Sequence, residues 1–314
     1  MSGKSLPSSE RSGPEVALLR VGQPVDGIYA CVRKERQLSR SGTPYLAAEL
    51  RDATGLIAAR AFRDADVLAG RFERGDLVRV RGLVKDWGGR PQVELRSIER
   101  VDAATVDPAS FLPASRRDLD ELEGFLEHLA REVFDPPLAA LLRALLGDRK
   151  LRAELRRAPC TMPPSRSDGG GGAPRAGTHH AYLGGLLEHT VAVATLAVEL
   201  CAVHTRLDRD MLLTAAIVHD LGRTREFTYG AEIGRTDAGR MLGHITLGLR
   251  VVGEHAPASL EDQRRLALEH CVMLHHGEDP AAGRRFASAE AVALHRLNAL
   301  DAQVKGALEG AVAR

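Results

Sequence analysis

The chain has 314 residues, of which 44% are hydrophobic and 27% are charged, and its formal net charge is +1. This length predicts about two domains, and this composition is ordinary for a soluble globular protein. No apolar run reaches the ~18 residues of a membrane span, and the polar start lacks a signal segment, so we expect a cytoplasmic protein with no membrane partner. The four cysteines are widely spaced without a CxxC motif, which predicts free thiols in a reducing compartment and argues against a structural zinc site or a disulfide framework.

The first third of the chain has a β pattern after a polar start. Residues 1–15 are rich in Ser, Gly, Pro and charged residues without periodicity, which predicts disorder. Strand-like runs follow at residues 27–32, 45–50, 56–62, 77–82 and 92–95. Turn-forming residues separate these runs at 41–44, 52–55 and 88–90, and a short helix is predicted over 64–71. This pattern predicts a small closed barrel of the OB type over residues 16–105, with a small sandwich as the alternative.

The predicted barrel carries a small basic surplus. Residues 20–100 contain 16 Lys and Arg against 11 Asp and Glu, a surplus of +5, so the rest of the chain carries about −4. A mildly basic domain is compatible with a polyanionic partner, although an ordinary solvated surface explains the same surplus. OB-type barrels bind single-stranded nucleic acid with cationic side chains at the phosphates and aromatic rings at the bases.

Side chains of both kinds occur in the predicted barrel. The aromatic candidates for base stacking are Tyr29, Tyr45, Phe62 and Trp87. The cationic candidates for phosphate contacts are Arg33, Lys34, Arg36, Arg40, Lys85 and Arg90. Trp87 is the strongest candidate because it is the only tryptophan and residues 85–90 form a predicted hairpin tip, whereas Phe62 lies in a strand and is predicted as core. The basic residues at 33–36 are equally explained as a solvated loop.

From about residue 115 the pattern becomes helical. Apolar residues spaced three and four apart predict helices over 118–134 and 137–146, within a connecting segment at residues 106–160. A glycine- and proline-rich loop is predicted over residues 161–178. Residues 179–314 are predicted as an all-α domain with helices near 181–204, 210–221, 241–255, 261–276 and 288–312. Gly222 and Gly277 lie just past two of these helices, which predicts C-terminal caps.

Eleven of the twelve histidines lie after residue 178. In chain order the chemically notable residues are His189, the pair His219-Asp220, His244, the pair His275-His276, and Asp301. Each of these residues or pairs is separated from the next by about the length of one helix and its connection. Imidazoles and carboxylates that recur once per helix predict a metal centre inside a helical bundle. One ion could be held by His189, His219, Asp220 and Asp301, and a second by His244, His275 and His276 with Asp220 bridging. A water acidified by the ions is then the predicted nucleophile.

The surroundings of these residues separate them from ordinary helical histidines, which are usually satisfied structural residues. His219 and Asp220 follow the apolar run 215–218, where burial of a polar pair is costly unless the pair binds something. His275 and His276 follow an apolar run in the same way. No role is assigned to the other histidines on or beside predicted helices, which are His128, His204, His255, His270 and His295.

With these residues in place, a family resemblance is visible. His189, His219-Asp220 and Asp301 resemble the motif of the HD superfamily of metal-dependent phosphohydrolases, and His244 with His275-His276 resembles its two-metal branch. More closely, the chain resembles the YhaM-type 3′–5′ exoribonucleases at residues 179–190, 219–222, 242–245, 275–277 and 300–302. That family joins an N-terminal OB-fold to a C-terminal HD domain, and the resemblance covers roughly residues 20–312.

The resemblance implies an OB-type β-barrel followed by an all-α HD-domain helical bundle, with two divalent ions. Mn²⁺ is the first choice and Fe²⁺, Co²⁺ or Zn²⁺ are alternatives, since mixed imidazole and carboxylate sites accept all of them. Asp220 and Arg223 are the implied catalytic residues, although the family usually has Lys in place of Arg223, and the planar guanidinium replaces a point charge. His179 and His180 are implied substrate contacts, with a structural role equally open.

The predicted function is a metal-dependent phosphodiesterase, a 3′–5′ exonuclease on single-stranded RNA with DNA as a second substrate. A homo-oligomer is left open. One alternative is an HD-type nucleotidase or cyclic-nucleotide phosphodiesterase, which would act on small substrates without the barrel. Another alternative is a non-catalytic nucleic-acid-binding protein, which the full set of ligand-type residues disfavours.

Overall fold

The computed structural model describes residues 13–39, 42–102, 106, 108–163 and 178–312. The chain forms two compact units. Unit 1 comprises residues 1–113 and 229–233, and unit 2 comprises residues 114–228 and 234–314. The predicted disorder of residues 1–15 falls mostly outside the described residues, and so do Arg40 and the glycine-rich part of the predicted loop, residues 164–177.

Unit 1 contains a closed barrel with the strand order β1-β2-β3-β5-β4. Its elements are β1 (Pro24–Leu38), β2 (Pro44–Asp52), β3 (Gly55–Ala61), α1 (Ala65–Ala69), β4 (Leu77–Asp86) and β5 (Pro91–Arg100). The long β1 pairs with both β2 and β4, and the parallel pairing of β3 with β5 closes the barrel. The predicted OB-type barrel is confirmed, and the sandwich alternative is wrong, because one continuous sheet closes on itself.

Alternating apolar side chains fill the barrel. In β2 the buried Leu46, Ala48 and Leu50 alternate with partly exposed residues, as a strand with one buried face requires. They pack in one cluster with Val80 and Ile98 from β4 and β5. This core holds the strand ends, and the side chains at their tips, in fixed positions.

Unit 2 is helical in its described residues, apart from a few residues of a small two-stranded sheet. Its helices are α2 (Leu119–Arg131), α3 (Pro136–Gly147), α4 (Arg149–Arg157), α5 (Gly185–Val203), α6 (Arg209–Val218), α7 (Asp237–His255), α8 (Asp262–Met273) and α9 (Ala289–Val312). The two-stranded sheet consists of β6 (Phe227–Tyr229) and β7 (Ile233–Arg235). Aspartate side chains accept backbone N–H groups at the starts of α2, α3, α4 and α6. Each such cap is worth about 1 kcal/mol.

The core of unit 2 includes helices from the segment predicted as a connection. Leu122 of α2, Leu141 of α3 and Leu155 of α4 belong to one buried cluster with Leu187 of α5 and Ile217 of α6. Helix α4 was not predicted as a separate element. These three helices therefore belong to the scaffold that supports the C-terminal histidines.

Helix α5 lies at the centre of this core. Among the described residues it is the one helix long and apolar enough, by length and composition, to cross a membrane, with a mean hydropathy of 1.7 over an 18-residue window. The expectation that no segment is long and apolar enough to cross a membrane is therefore wrong. Eleven of its residues are buried in the unit, including the polar Glu188 and His189, and the core helix of a bundle has the same apolar composition.

Candidate metal centre and nucleic-acid-binding surface

Five helices or helix ends of unit 2 supply the residues of the candidate metal centre. His189 lies on α5, His219 and Asp220 follow α6, His244 lies on α7, His275 and His276 follow α8, and Asp301 lies on α9. Their ligand atoms form overlapping groups, and within each group the atoms lie within 4.8 Å of one another. Residues more than 100 positions apart are thereby brought into one cluster.

The ends of α6 and α8 fix the orientation of two imidazole rings. His219 Nδ1 donates to Ala216 O at 2.8 Å, and His275 Nδ1 donates to Val272 O at 2.6 Å. Carbonyl groups in the last turn of a helix lack intrahelical partners, so they are free to accept these bonds. Each ring is thereby oriented with its Nε2 atom towards the cluster, and this is the atom that a metal ion would bind.

One group of ligand atoms surrounds Asp220. Its Oδ1 atom lies 3.4 Å from His244 Nε2 and 3.5 Å from His275 Nε2, and His244 Nε2 lies 3.0 Å from His276 Nε2. Asp220 is only 2% exposed, yet its Oδ1 atom has no hydrogen-bond partner among the residues that the structure describes. A buried unpaired acceptor costs about 1–3 kcal/mol. A divalent ion with bonds of ~2.1 Å would separate its ligands by about 3.0–3.4 Å, so these residues fit a metal ion.

The protonation states in this group suit a metal ion. Burial alone would raise the pKa of Asp220, but the Arg223 guanidinium holds it well below its usual range. Burial lowers the pKa of His219 well below 6.5 and that of His244 to about 3. The carboxylate is therefore ionised and the imidazoles of His219 and His244 are neutral, as metal ligands must be.

A second group joins His189, His219 and Asp220, with His189 Nε2 at 3.2 Å from His219 Nε2. Asp301 lies on the other side of the His189 ring, where its Oδ2 accepts from His189 Nδ1 at 2.6 Å and from His180 Nε2 at 3.0 Å. Such a carboxylate orients a metal-bound imidazole and raises its basicity. The role of Asp301 as a direct ligand of the same ion stays a prediction.

His179 and His180 are buried at the edge of the cluster, with 6% and 2% of their surfaces exposed. His180 contacts Asp301, and His179 Nε2 lies 3.4 Å from the Cys160 sulfur. Sequence reasoning treated Cys160 as an ordinary thiol, because no motif connects it to the histidines. The predicted substrate contact of His179 and His180 stays a prediction, and their contacts here are with other residues of the centre.

Arg223 lies in the 3₁₀ turn Leu221–Arg225 and is 6% exposed. Its Nε donates to Asp220 Oδ2 at 3.0 Å and its Nη1 donates to Glu226 Oε2 at 3.1 Å. Two carboxylates therefore already share its charge. The geometry makes Arg223 a support for Asp220, and its expected contact with a phosphate stays a prediction.

The predicted C-terminal cap at Gly222 is wrong. Helix α6 ends at Val218, and Gly222 lies in the following 3₁₀ turn. A Cβ atom on Gly222 would lie 1.8 Å from His244 O and 2.4 Å from Gly248 N. This glycine permits close backbone contact between the Asp220 turn and α7, which carries His244. The predicted C-terminal cap at Gly277 is wrong for the same reason, because α8 ends at Met273 and its cap residue is Leu274, although the φ of 114° at Gly277 is one that favours glycine.

The predicted hairpin tip in unit 1 is present and presents Trp87. Trp87 N donates to Arg90 O at 2.9 Å, and Gly88 and Gly89 have φ values of 64° and 79°. Two consecutive residues with positive φ form the turn that matches the twist of a hairpin. The Trp87 side chain is 53% exposed.

Trp87 belongs to a stack of three rings. The Phe62 ring centroid lies 5.4 Å from that of Trp87 and 5.3 Å from that of Tyr45. The Arg60 guanidinium lies 5.4 Å from the Tyr45 ring and 5.3 Å from the Trp87 ring. Phe62 was predicted as core but is 37% exposed, whereas Tyr45 is 8% exposed and forms the covered end of the stack. Arg60 was not predicted at all.

The other candidate nucleic-acid contacts in the barrel differ in how exposed their side chains are. Tyr29 is 1% exposed in the core, so its expected contact with a base is wrong. Lys34 Nζ donates to Phe72 O and to Glu73, and its side chain is 15% exposed, so it is occupied within the barrel. More exposed ion pairs join Arg33 to Glu35, Arg36 to Asp66 and Lys85 to Glu94, and Arg90 is exposed at the hairpin tip. Exposed ion pairs are worth about 0–1 kcal/mol and exchange readily for a phosphate.

Comparison with known proteins matches both units. The family model of the HD domain matches residues 186–303, and that of the OB-fold nucleic acid binding domain matches residues 29–101. The 3′-5′ exoribonuclease YhaM of Shouchella clausii (strain KSM-K16) is 26% identical over 292 residues, which cover 91% of this chain and 85% of that protein. The protein of the same name from Bacillus subtilis (strain 168) is 26% identical, with 92% of this chain and 88% of that protein covered.

A solved structure also matches part of the chain. It is the second OB-fold domain of replication protein A from Methanococcus maripaludis, at 18% identity and a TM-score of 0.24, with 28% of this chain and 94% of that chain covered. The family models show that this chain carries an OB-fold nucleic-acid-binding domain followed by a metal-binding HD domain.

Proposed function

We propose that this chain, a hydrolase of the HD superfamily similar over 92% of its length to 3′-5′ exoribonuclease YhaM of Bacillus subtilis, removes nucleotides from the 3′ end of single-stranded RNA. The observation that carries the proposal is the cluster around Asp220. Three imidazoles lie close to its ionised carboxylate, whose buried Oδ1 atom has no hydrogen-bond partner among the described residues. Such a cluster suits metal-dependent phosphodiester hydrolysis.

Two divalent ions are the proposed cofactors, with Mn²⁺ as the first choice. One would be held by Asp220, His244, His275 and His276, and the other by His189, His219 and Asp220. When bound, such ions supply a Lewis acid and lower the pKa of water. The mixed nitrogen and oxygen donors suit Mn²⁺ or Fe²⁺ as well as Zn²⁺.

The residues around the ligands hold them in place. Arg223 bonds to Asp220 and Glu226, so the ionised carboxylate keeps its position when the substrate changes the local charge. Asp301 accepts from His189 and His180, which fixes the His189 ring. Ligands that are oriented before the substrate arrives need no reorganisation during the reaction.

The ring stack of unit 1 is the proposed capture surface for RNA. Trp87 and Phe62 expose aromatic surface, and Arg60 adds a positive charge beside them. Every base has an aromatic face, so stacking on such rings holds a strand without selecting its sequence. This tolerance suits an exonuclease that processes successive nucleotides.

The test is a sequencing gel of 5′-labelled single-stranded RNA incubated with the purified full chain and Mn²⁺. We expect a ladder of shortened 5′-labelled products that chelation abolishes. The Asp220→Asn variant keeps the volume of the side chain but loses its charge, and we expect no ladder from it. The matched control is His204→Gln, an exposed histidine beyond the end of α5, which should leave the ladder unchanged.

Two results would contradict the proposal. An undiminished ladder from Asp220→Asn would place the chemistry elsewhere, in the chain or in a contaminant. An intact strand with the native chain would favour the alternatives, and cleavage of mononucleotides or cyclic nucleotides under the same conditions would then identify a small-substrate enzyme.

A further inference from the structure

A thiol lies among the ligand-type residues of unit 2, in a third set that shares His189 with one of the two groups around Asp220. Cys160 Sγ lies 3.4 Å from His179 Nε2, and ligand atoms of Cys160, His179 and His189 all lie within 4.8 Å of one another. All three side chains are buried, with 0%, 6% and 0% of their surfaces exposed. We propose that these residues form a sulfur-containing site that binds a thiophilic divalent ion such as Zn²⁺.

The backbone fixes Cys160 in this position. Helix α4 ends at Arg157, and Ala158 O then accepts from Leu186 N at the start of α5. Cys160 N donates to His180 O at 3.0 Å, and Thr161 Oγ1 donates to His179 O at 2.8 Å. Two short segments are thus bonded side by side, which brings the thiol and the His179 ring together.

Packing does not account for this thiol. Among the described residues of unit 2, Cys201 and Cys271 belong to the hydrophobic core cluster, whereas Cys160 is buried outside it. A buried cysteine usually behaves as a small apolar residue. Cys160 instead contacts an imidazole and a carboxylate, because its sulfur also lies 3.5 Å from Asp220 Oδ2.

The Asp220 carboxylate contacts both this site, through Oδ2, and the group with His244 and His275, through Oδ1. Asp220 is 2% exposed and ionised, and its Oδ1 atom has no hydrogen-bond partner. Its other oxygen faces the thiol and Arg223. A carboxylate that is buried and incompletely paired is stabilised by a bound cation beside it.

The donor set selects the class of ion. Zn²⁺ binds sulfur at about 2.3 Å and imidazole nitrogen at about 2.0–2.1 Å in tetrahedral sites, so adjacent ligand atoms are separated by roughly 3.5 Å. The observed sulfur-to-nitrogen distance of 3.4 Å agrees with this geometry. A thiolate is a soft ligand and favours Zn²⁺ or Co²⁺ over Mn²⁺ and Mg²⁺. On binding, the metal–sulfur bond replaces the S–H bond and the proton passes to solvent.

His189 belongs to this site and also to the group with His219 and Asp220. A thiophilic ion at Cys160 therefore takes a ligand from that group. Harder ions would bind the oxygen and nitrogen donors around Asp220, and softer ions would bind the sulfur of Cys160. Because both sites need His189, the centre would distinguish these two kinds of divalent ion.

The test is spectroscopic and uses Co²⁺ as the probe. Metal-free full-length protein is titrated with Co²⁺, and we expect the near-ultraviolet charge-transfer absorption of a thiolate bound to Co²⁺. The Cys160→Ser variant should lose this absorption. The matched control is Cys271→Ser, another fully buried cysteine that lies in the hydrophobic core, and it should keep the absorption. Equilibrium dialysis should show that Cys160→Ser binds Zn²⁺ more weakly than the native chain does.

No absorption from the native chain would overturn the proposal, and so would absorption that persists in a folded Cys160→Ser variant. If Cys160→Ser does not fold, His179→Gln replaces it, and a native-like Co²⁺ spectrum and Zn²⁺ affinity from that variant would equally overturn the proposal. Neither measurement uses RNA hydrolysis, so the result is independent of the proposed function.

Discussion

Asp220 shows how one buried residue can lower folding stability and also provide a ligand for a cation. It is buried directly after an apolar helix, one oxygen bonds to Arg223, and the other has no partner. Folding of the metal-free chain therefore includes the cost of an unsatisfied acceptor, of order 1–3 kcal/mol. A bound cation removes that cost, so metal affinity and folding stability are coupled at this residue.

The close backbone contact at Gly222 gives the first prediction. In Gly222→Ala the new Cβ would overlap His244 O and Gly248 N, both of them backbone atoms that cannot rotate away. We expect a loss of unfolding free energy of about 1–3 kcal/mol or more, which is the usual cost of overpacking. Because α7 must move, metal affinity should fall as well. Urea unfolding followed by circular dichroism measures the first effect, and metal titration measures the second.

The control for this substitution is Gly253→Ala on the same helix. Gly253 is exposed in α7, and a Cβ there meets no atom within 4 Å. Alanine is favoured over glycine within a helix by about 0.5–1 kcal/mol, so this variant should be as stable as the native chain or more stable. A Gly222→Ala variant with native stability and native metal affinity would refute the close-contact argument.

The sequence predicted some residues of the centre better than others. The pair His219-Asp220 was found because an apolar helix leads into it, which is a local signal. Cys160 and Arg60 were missed because their roles depend on partners far along the chain, such as His179 for the thiol. The position of Asp301 on the outer side of the His189 ring depends on side-chain orientation, which spacing along a sequence does not contain.

At the scale of elements, α4 illustrates a helix that sequence periodicity does not identify. Only two of its nine residues, Leu151 and Leu155, are buried, and five are Arg or Lys. Its attachment to α2 is largely ionic. Glu123 accepts from Arg152 Nε at 2.7 Å and from Arg156 Nη1 at 2.5 Å. Ion pairs between helices leave no periodic pattern in a single sequence, whereas the five barrel strands, with alternating burial, could be predicted.

The second prediction concerns this ionic contact. Burial alone raises the pKa of Glu123, but hydrogen bonds from Arg152 and Arg156 outweigh it and hold the pKa below 4.5. The folded state thus binds the proton more weakly than the unfolded state, so the stabilisation is complete above pH 4.5 and is lost as the pH falls through the lowered pKa. We expect Glu123→Gln to lower the free energy of unfolding by about 1 kcal/mol at pH 7. The effect is no larger because the two arginines are partly exposed and solvent screens their charges.

Urea unfolding at pH 7 and at pH 4 or below tests this contact. The difference between the native chain and Glu123→Gln should shrink at the lower pH. Glu121→Gln, an exposed residue on the same helix, should change stability by only a few tenths of a kcal/mol. A constant difference at both pH values would show that the charge of Glu123 does not stabilise α4.

The third prediction concerns the hairpin between β4 and β5. Trp87 is the only tryptophan, so its fluorescence reports directly on the ring stack. In an Asp220→Asn background that prevents hydrolysis, we expect single-stranded RNA to quench this fluorescence. Trp87→Ala should weaken binding by about 1–3 kcal/mol, roughly 5- to 150-fold, which is the usual contribution of one stacked base. Anisotropy of a labelled RNA measures the affinity.

Val67→Ala is the matched control, since Val67 is an exposed apolar residue of unit 1 on α1, at 59% exposure. It should bind RNA with native affinity. Native affinity for the Trp87→Ala variant, or unchanged Trp87 fluorescence at saturating RNA, would contradict the proposed capture surface.

At the scale of the whole molecule, each unit has its own hydrophobic core, and chemistry and capture are assigned to different units. The barrel core and the helical core are separate clusters of buried residues. The order of the units was predictable, because a change from period-two to helical patterning occurs near residue 115. The assignment of residues 229–233 to unit 1 was not predictable, because tertiary contacts determine it.

The fourth prediction follows from the location of all the proposed ligands in unit 2. Mn²⁺ at about 100 times its dissociation constant should stabilise the folded state by about 2.7 kcal/mol, because only the folded chain brings the ligands together. That stabilisation raises the melting temperature of a unit of this size by several degrees. Circular dichroism of the helical signal measures the shift, and Asp220→Asn should abolish most of it. Equal shifts in both proteins would mean that Mn²⁺ binds elsewhere, and the cluster around Asp220 would then need another explanation for its unpaired oxygen.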